Sequence, residues 1–420
     1  MPSIDAIDLT TRFIALAVLG SIVGGFCNYA IYGWAYFHRP ISPWAPPHPD
    51  AAPRRWCDRL PIIGWLSLRR ESPLHGPAFW IRPVLIELGC CIGFPLMYWY
   101  YTQSGGLLPP EYRTAARLEY FSPWAHALFV VHGVLLTLMI VATFIDFDEQ
   151  TIPDLITLPG TLLALVFACL PWHSFLPAAV RWGDLAGISE TSFNVPWPYD
   201  DGWSGRSGLW LALAIWAAWI FAMADRRLIL RHGLRRAIGY FCHGIRRRRS
   251  SKWLLAMGLV GSGGVIAVWW LGGDSWRGLL SSLIGLAVGG GTVWAVRIVA
   301  SLAMGQEAMG FGDVTLMAMI GAFVGWQAAI AGFFLAPIAA ILIVLIQYAV
   351  TRQPAVPFGP YLCAGTVIAV SAWNAVWNDT LSLYAEMGSL VLVILLAALL
   401  AMGAMLTIWG RIKRALFAPH

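Results

Sequence analysis

The chain has 420 residues, 58% of them hydrophobic and 12% charged, where a soluble domain usually carries about 25% charged residues. With a mean hydropathy of +0.66, this excludes an ordinary soluble protein and predicts an all-α polytopic membrane protein. The net charge of +6 is no nucleic-acid signal, because its arginines cluster between apolar runs, where they set topology by the positive-inside rule.

A span needs about 20 apolar residues. Runs of this kind are predicted at 12–33, 80–101, 124–145, 155–172, 207–224, 253–271, 278–304, 314–325 with 327–350, 361–376 and 387–410. They make a bundle of about 9–11 transmembrane helices in a lipid bilayer. The N-terminus starts with Asp5 and Asp8, not with a basic stretch, so Phe13–Tyr32 reads as a retained span and not a cleaved signal. Gly20/Gly24 and Gly285/Gly289 have the four-residue spacing that lets helices pack closely. Gly325-Trp326 reads as a tight turn between two runs.

Charge predicts direction. The segments 34–79, with Arg39, Arg54, Arg55, Arg59, Arg69 and Arg70, and 225–252, ending in Arg246–Arg249, belong on the cytoplasmic side, as does the tail with Arg411, Lys413 and Arg414. The segments 173–206, 272–277 and 377–386 then lie outside, and so does the N-terminus. Residues 102–123 and 173–206 read as loops. The stretch Arg226–Lys252 fits either a basic loop or an amphipathic helix on anionic lipid. There are seven cysteines and no C-x-x-C pair, which excludes a tetracysteine zinc site.

Two short segments carry the chemistry. One runs from Ile145-Asp146-Phe147-Asp148-Glu149 to Ile152-Pro153-Asp154; the other is Met309-Gly310-Phe311-Gly312-Asp313. The predicted topology puts both at the cytoplasmic edge of the membrane. A carboxylate against an apolar run is expensive and marks function by default. Gly310 and Gly312 leave the backbone before Asp313 without side chains at two of three positions, which permits close approach of an extended substrate. The bland alternatives are that Asp313 and Asp154 cap helices and that Asp146 sits in a polar turn. Two carboxylates held close cannot both ionise, and such a pair activates water for peptide hydrolysis.

The ordered motifs resemble the type 4 prepilin peptidases, membrane aspartic proteases that mature type IV pilins and type II secretion pseudopilins. Gly24-Gly25-Phe26-Cys27-Asn28, Arg59–Trp65, Arg82-Pro83-Val84-Leu85-Ile86-Glu87-Leu88, Asp146–Asp154, Met309–Asp313, Ile320–Trp326 and Pro357-Phe358-Gly359-Pro360-Tyr361 match the family in order. The resemblance implies that Asp146 and Asp313 are the catalytic pair, with Gly310, Gly312 and Asp154 near the substrate backbone. It also implies a bacterial inner-membrane location and methylation of the new N-terminus with S-adenosylmethionine. Residues 1–101 would form the methyltransferase-like region, in which Glu87 and Arg82 are the candidates. Glu87 paired with an arginine such as Arg82 is the structural alternative. Residues 124–376 would form the peptidase core, with 387–410 as a final helix.

Three departures stand out. Of the family's paired cysteines only Cys57 is present, with His38, His48 and His75 nearby, so no metal is expected. Thr315 stands where the family usually has lysine. Asp146 and Asp313 lie unusually far apart, the excess being an insertion at about 173–275. A catalytically silent relative in pilus or secretion assembly, a proton-coupled transporter and a presenilin-like protease are the competing readings.

Overall fold

The computed structural model describes residues 6–39, 41–170, 174–182, 185–197, 200–223, 249–351, 357–385 and 387–417. Its longer helices are α1 (Leu9–Trp34), α2 (Ile81–Thr102), α3 (Ala115–Glu149) and α4 (Asp154–Cys169), then α5 (Arg206–Ala222), α6 (Arg249–Leu271) and α7 (Gly273–Met304). The last three are α8 (Phe311–Thr351), α9 (Gly359–Ser371) and α10 (Ser389–Phe417). The protein is an all-α polytopic membrane protein. Seven of these helices are long and apolar enough to cross a membrane, and α4, α5 and α9 are shorter apolar helices. The predicted basic segment at Arg226–Lys252 lies almost wholly outside the described residues.

Small residues set the helix contacts, because dispersion and close backbone approach hold apolar helices together in lipid. A Cβ on Gly20 would stand 2.2 Å from the Cys90 carbonyl oxygen, and one on Gly24 would stand 2.5 Å from the Glu87 Cα, so α1 lies directly on α2. Gly285 of α7 and Gly321 of α8 face each other, each leaving its missing Cβ 2.1 Å from the other's carbonyl oxygen. Both glycine pairs expected from their spacing therefore sit at contacts.

α8 is two arms. Gly325 breaks the helix with φ 81° and ψ 168°, a conformation open to glycine because it lacks Cβ. The first arm, 311–324, rises only about 21 Å at 1.5 Å per residue. It ends against a cap built from the 174–197 segment. Trp326 Nε1 donates to the Phe193 carbonyl at 2.9 Å, and Gln327 Nε2 to the Ser192 and Val195 carbonyls at 2.8 and 3.2 Å. The reading of 173–206 as plain loop is corrected: Pro177–Trp182 (β1) pairs antiparallel with Leu185–Glu190 (β2). The hairpin is fastened from α9's end, where Trp373 Nε1 donates to the Pro177 carbonyl at 2.6 Å. The loop predicted over 102–123 is also shorter than expected, since α3 begins at Ala115 and runs through Pro123.

Between α1 and α2 a compact polar unit forms around Asp58, which is fully buried. Arg70 donates to both its oxygens, at 2.9 and 2.6 Å, Ser67 Oγ donates at 2.8 Å and the Arg55 amide at 2.7 Å. These hydrogen bonds, Arg70's first among them, hold the Asp58 carboxyl well below the usual carboxylate range. A carboxyl depressed in the folded state stabilises above its unfolded value of about 3.9 and loses that contribution as pH falls. The 54–75 unit is therefore expected to loosen as pH drops below about 4. Asp58→Asn removes that dependence and costs about 2 kcal/mol at neutral pH. Tryptophan fluorescence against pH, read for both proteins, checks it.

Candidate active site

Asp146 lies in the last turn of α3. The helix stops at Gln150, whose left-handed φ of 54° closes the end with its N–H on the Asp146 carbonyl at 2.9 Å. Successive residues on a helix are about 100° apart, so Asp146 and Asp148 project in nearly opposite directions. Asp148 turns to α2, where Arg82 donates to both its oxygens at 2.7 and 2.8 Å, with Arg39 at 3.6 Å. Asp146 turns inward, is 4% exposed, and accepts the Gly359 N–H at 3.1 Å.

Asp313 stands in the first turn of α8, 6% exposed. It is the third residue of the helix, not its cap. Asp154 likewise is the first residue of α4, whose cap position is Pro153. The capping alternatives for both acids are thereby corrected. Asp146, Asp154, Gly310, Gly312 and Asp313 line one cavity of about 630 Å³, with Thr151, Ile152 and Phe358 on its walls. Asp146 and Arg297 both interact electrostatically with Asp313. The close approach at Gly312 is made by this chain: a Cβ there would stand 3.0 Å from Ile152 Cβ. Gly310 is the exposed one of the two glycines.

The cavity has a wall that sequence reasoning missed. Tyr36, just past α1, lines it. Glu149 holds it there, accepting the Tyr36 and Phe37 N–H groups at 2.9 and 2.8 Å. An aromatic residue after a span reads as an interface anchor, so no sequence signal marked it.

A second cavity, of about 470 Å³, lies between α1, α2 and the polar unit, lined by Phe26, Tyr29, Trp44, Asp58, Pro61 and Glu87 among others. Glu87 is 2% exposed. It accepts from Asn28 Nδ2 and Trp65 Nε1, both at 2.9 Å, and from the Ile62 amide. The alternative that pairs it with an arginine is corrected, since Arg82 is committed to Asp148. His75 meets Glu71 at 3.5 Å, and its ring packs against His48.

Residues 245–345 match the model of the type IV leader peptidase family. The segment includes Asp313 and excludes Asp146. A prepilin leader peptidase/N-methyltransferase of Pseudomonas putida is 34% identical over 108 residues, 25% of this chain and 35% of that protein. One from Neisseria gonorrhoeae is 30% identical over 199 residues, 41% of this chain and 61% of its own length. The chain is a relative of the type 4 prepilin peptidases. It spans about a third of the length of the first curated relatives it matches. An Aeromonas hydrophila protein of the same description is 32% identical over 127 residues, 26% of this chain and 40% of that protein. No solved structure matches. The family segment joins α7 to α8, which puts the Gly285–Gly321 contact and the Asp313 turn in the part that the relationship covers.

Proposed function

We propose that the protein is a membrane aspartic endopeptidase. It removes the basic leader of type IV prepilins or type II secretion pseudopilins at the cytoplasmic face of the bacterial inner membrane. The observation that carries this is one cavity holding two aspartates from distant helices, Asp146 and Asp313. A water between the carboxyl groups loses its proton to one and attacks the scissile carbonyl. The other carboxyl gives its proton to the carbonyl oxygen, and the leaving amine is protonated as the intermediate collapses. The Gly359 N–H keeps Asp146 aimed into the cavity. The leader's basic residues suit the arginine-poor, aspartate-lined mouth, and the pilin's apolar helix suits the bilayer beside α8. The test is co-expression with a prepilin and mass spectrometry of the pilin N-terminus: a shortened product supports the reading, and an intact leader removes it.

Residues 1–101 are the proposed methyltransferase region. Aromatic walls and the Glu87 carboxylate in the second cavity fit S-adenosylmethionine, whose adenine stacks and whose sulfonium and amine are cationic. Bound there, it supplies an activated methyl group. Phe26, Tyr29 and Trp44 offer the stacking faces, and Glu87 a carboxylate.

Gly359 gives a sharp test of the peptidase geometry. A Cβ at this position would lie 2.6 Å from Asp146 Oδ2 and 2.9 Å from Ile152 Cδ1. Gly359→Ala pushes the carboxylate aside and is expected to lower kcat by about 10–100-fold, read from the rate of leader removal, with the protein still accumulating in the membrane.

A further inference from the structure

The segment that leads into Asp313 has little packing of its own. Gly305 ends α7 in the left-handed region at φ 70°, and Gly305, Gln306, Glu307 and Gly310 are exposed. Two side chains of α7 reach down to it. Ser301 Oγ accepts the Ala308 N–H at 3.1 Å. Arg297 does more. Its Nε donates to the Met309 carbonyl at 2.8 Å, its Nη2 pairs with the Glu307 carboxylate, and its guanidinium lies 5.8 Å from the Phe311 ring centre. One side chain thus grips residues 307, 309 and 311, two positions before Asp313, with whose carboxyl it also interacts. The other nearby polar group of α8, Thr315, is buried and gives its hydroxyl to the Gly312 carbonyl at 3.0 Å. It supplies no cation.

We infer that Arg297 is a positioning residue of the peptidase site: from α7 it clamps the 307–311 segment and thereby holds the Asp313 carboxyl in its working orientation. The inference rests on the peptidase reading. The chemistry suits arginine, because a planar fork satisfies a backbone carbonyl and a carboxylate at once while its face covers an aromatic ring. Lysine offers one point charge and keeps the pairing with Glu307 at the expense of the carbonyl bond. Ala308, Met309, Gly310 and Phe311 of the clamped segment line the cavity beside Asp313, so loosening the clamp moves this wall together with the carboxyl.

The experiment uses the full chain, purified, with a prepilin and with Asp313→Asn as the inactive reference. Arg297→Gln is expected to lower kcat by about 10–100-fold, the cost of a misplacement near 1 Å, with any rise in KM smaller than the fall in kcat. Arg297→Lys recovers part of that loss. Glu307→Gln, which spares the Met309 bond, loses less than about fivefold. Thermal unfolding of each variant shows whether the molecules assayed are folded. If Arg297→Gln does not fold, the decision passes to Arg297→Lys and Glu307→Gln, which must still separate in kcat in that order. A folded Arg297→Gln with wild-type kcat overturns the inference alone. A wild type without cleavage removes the peptidase reading and the clamp with it.

Discussion

Asp146→Asn and Asp313→Asn, each alone, are expected to lower prepilin cleavage by about a thousandfold or more, because each carboxyl must exchange a proton during the reaction. Asparagine is nearly isosteric. At 146 its amide oxygen still accepts the Gly359 N–H that Asp146 takes at 3.1 Å, so the loss is chemical and not a loss of fold. The informative contrast is Asp148→Asn. Asp148 lies two residues from Asp146 but spends both oxygens on Arg82, so this variant weakens the tie between α2 and α3 and keeps measurable cleavage. The assay is leader removal from a purified prepilin, followed by mass spectrometry, with unfolding temperature measured in parallel. Full activity in either Asp146→Asn or Asp313→Asn defeats the assignment of the pair.

The contrast also marks what sequence could and could not disclose. Hydropathy located the helices because lipid imposes length and apolarity on every span. Glycine spacing marked faces of α1 and α7 fit for close packing, since a missing side chain is visible in the sequence itself, but that α2 and α8 lie on them came from the structure. Gly325-Trp326 was legible as a turn for the same reason. The β1–β2 hairpin was not. Its strands, Pro-Ala-Ala-Val-Arg-Trp and Leu-Ala-Gly-Ile-Ser-Glu, lack clean alternation, and a tryptophan far along the chain, Trp373, fastens the first of them.

At the site, the two acidic segments were legible as places where charge meets an apolar run. The choice of Asp146 over Asp148 followed from family resemblance, and the physical ground for it is helical: the two point to different neighbours. Tyr36, just past the end of α1, and Arg297, two turns inside α7, were hidden because the sequence around each gives it an ordinary role. Only the packing of α1 against α3 turns Tyr36 to the cavity, and only that of α7 against the 307–311 segment gives Arg297 its partners there. Glu149 holds the Tyr36 and Phe37 amides and so joins the N-terminal region to the helix that bears Asp146.

Glu87→Gln is the second large effect expected: methylation of the new pilin N-terminus falls more than about tenfold while cleavage stays within about threefold. The reason lies in how tightly Glu87 is used. Its two oxygens take three donors from three separate places: Asn28 on α1, Trp65, and the Ile62 amide. Ile62 has φ 63° and ψ −59°, a γ-turn closed by the Ile63 N–H on the Pro61 carbonyl at 2.6 Å. A β-branched residue there costs on the order of 1–3 kcal/mol, which persists only where surrounding bonds hold it, and such strain gathers at functional sites. Glu87 supplies the bond that holds it, and Pro61 beside it lines the second cavity. Glutamine keeps the shape but turns one acceptor into a donor that faces other donors, so the γ-turn relaxes and the cavity changes. Glu87→Ala is a poorer probe, because three donors lose their partner at about 1–3 kcal/mol each. Asp146 and Asp313 sit in the other cavity, while Glu87's hydrogen bonds go to α1 and the 62–65 stretch, so a local rearrangement at Glu87 should spare cleavage. Mass spectrometry of pilin matured by the variant reads both steps in one spectrum: cleaved and unmethylated product is the expected result, and equal loss of both steps would assign Glu87 to folding.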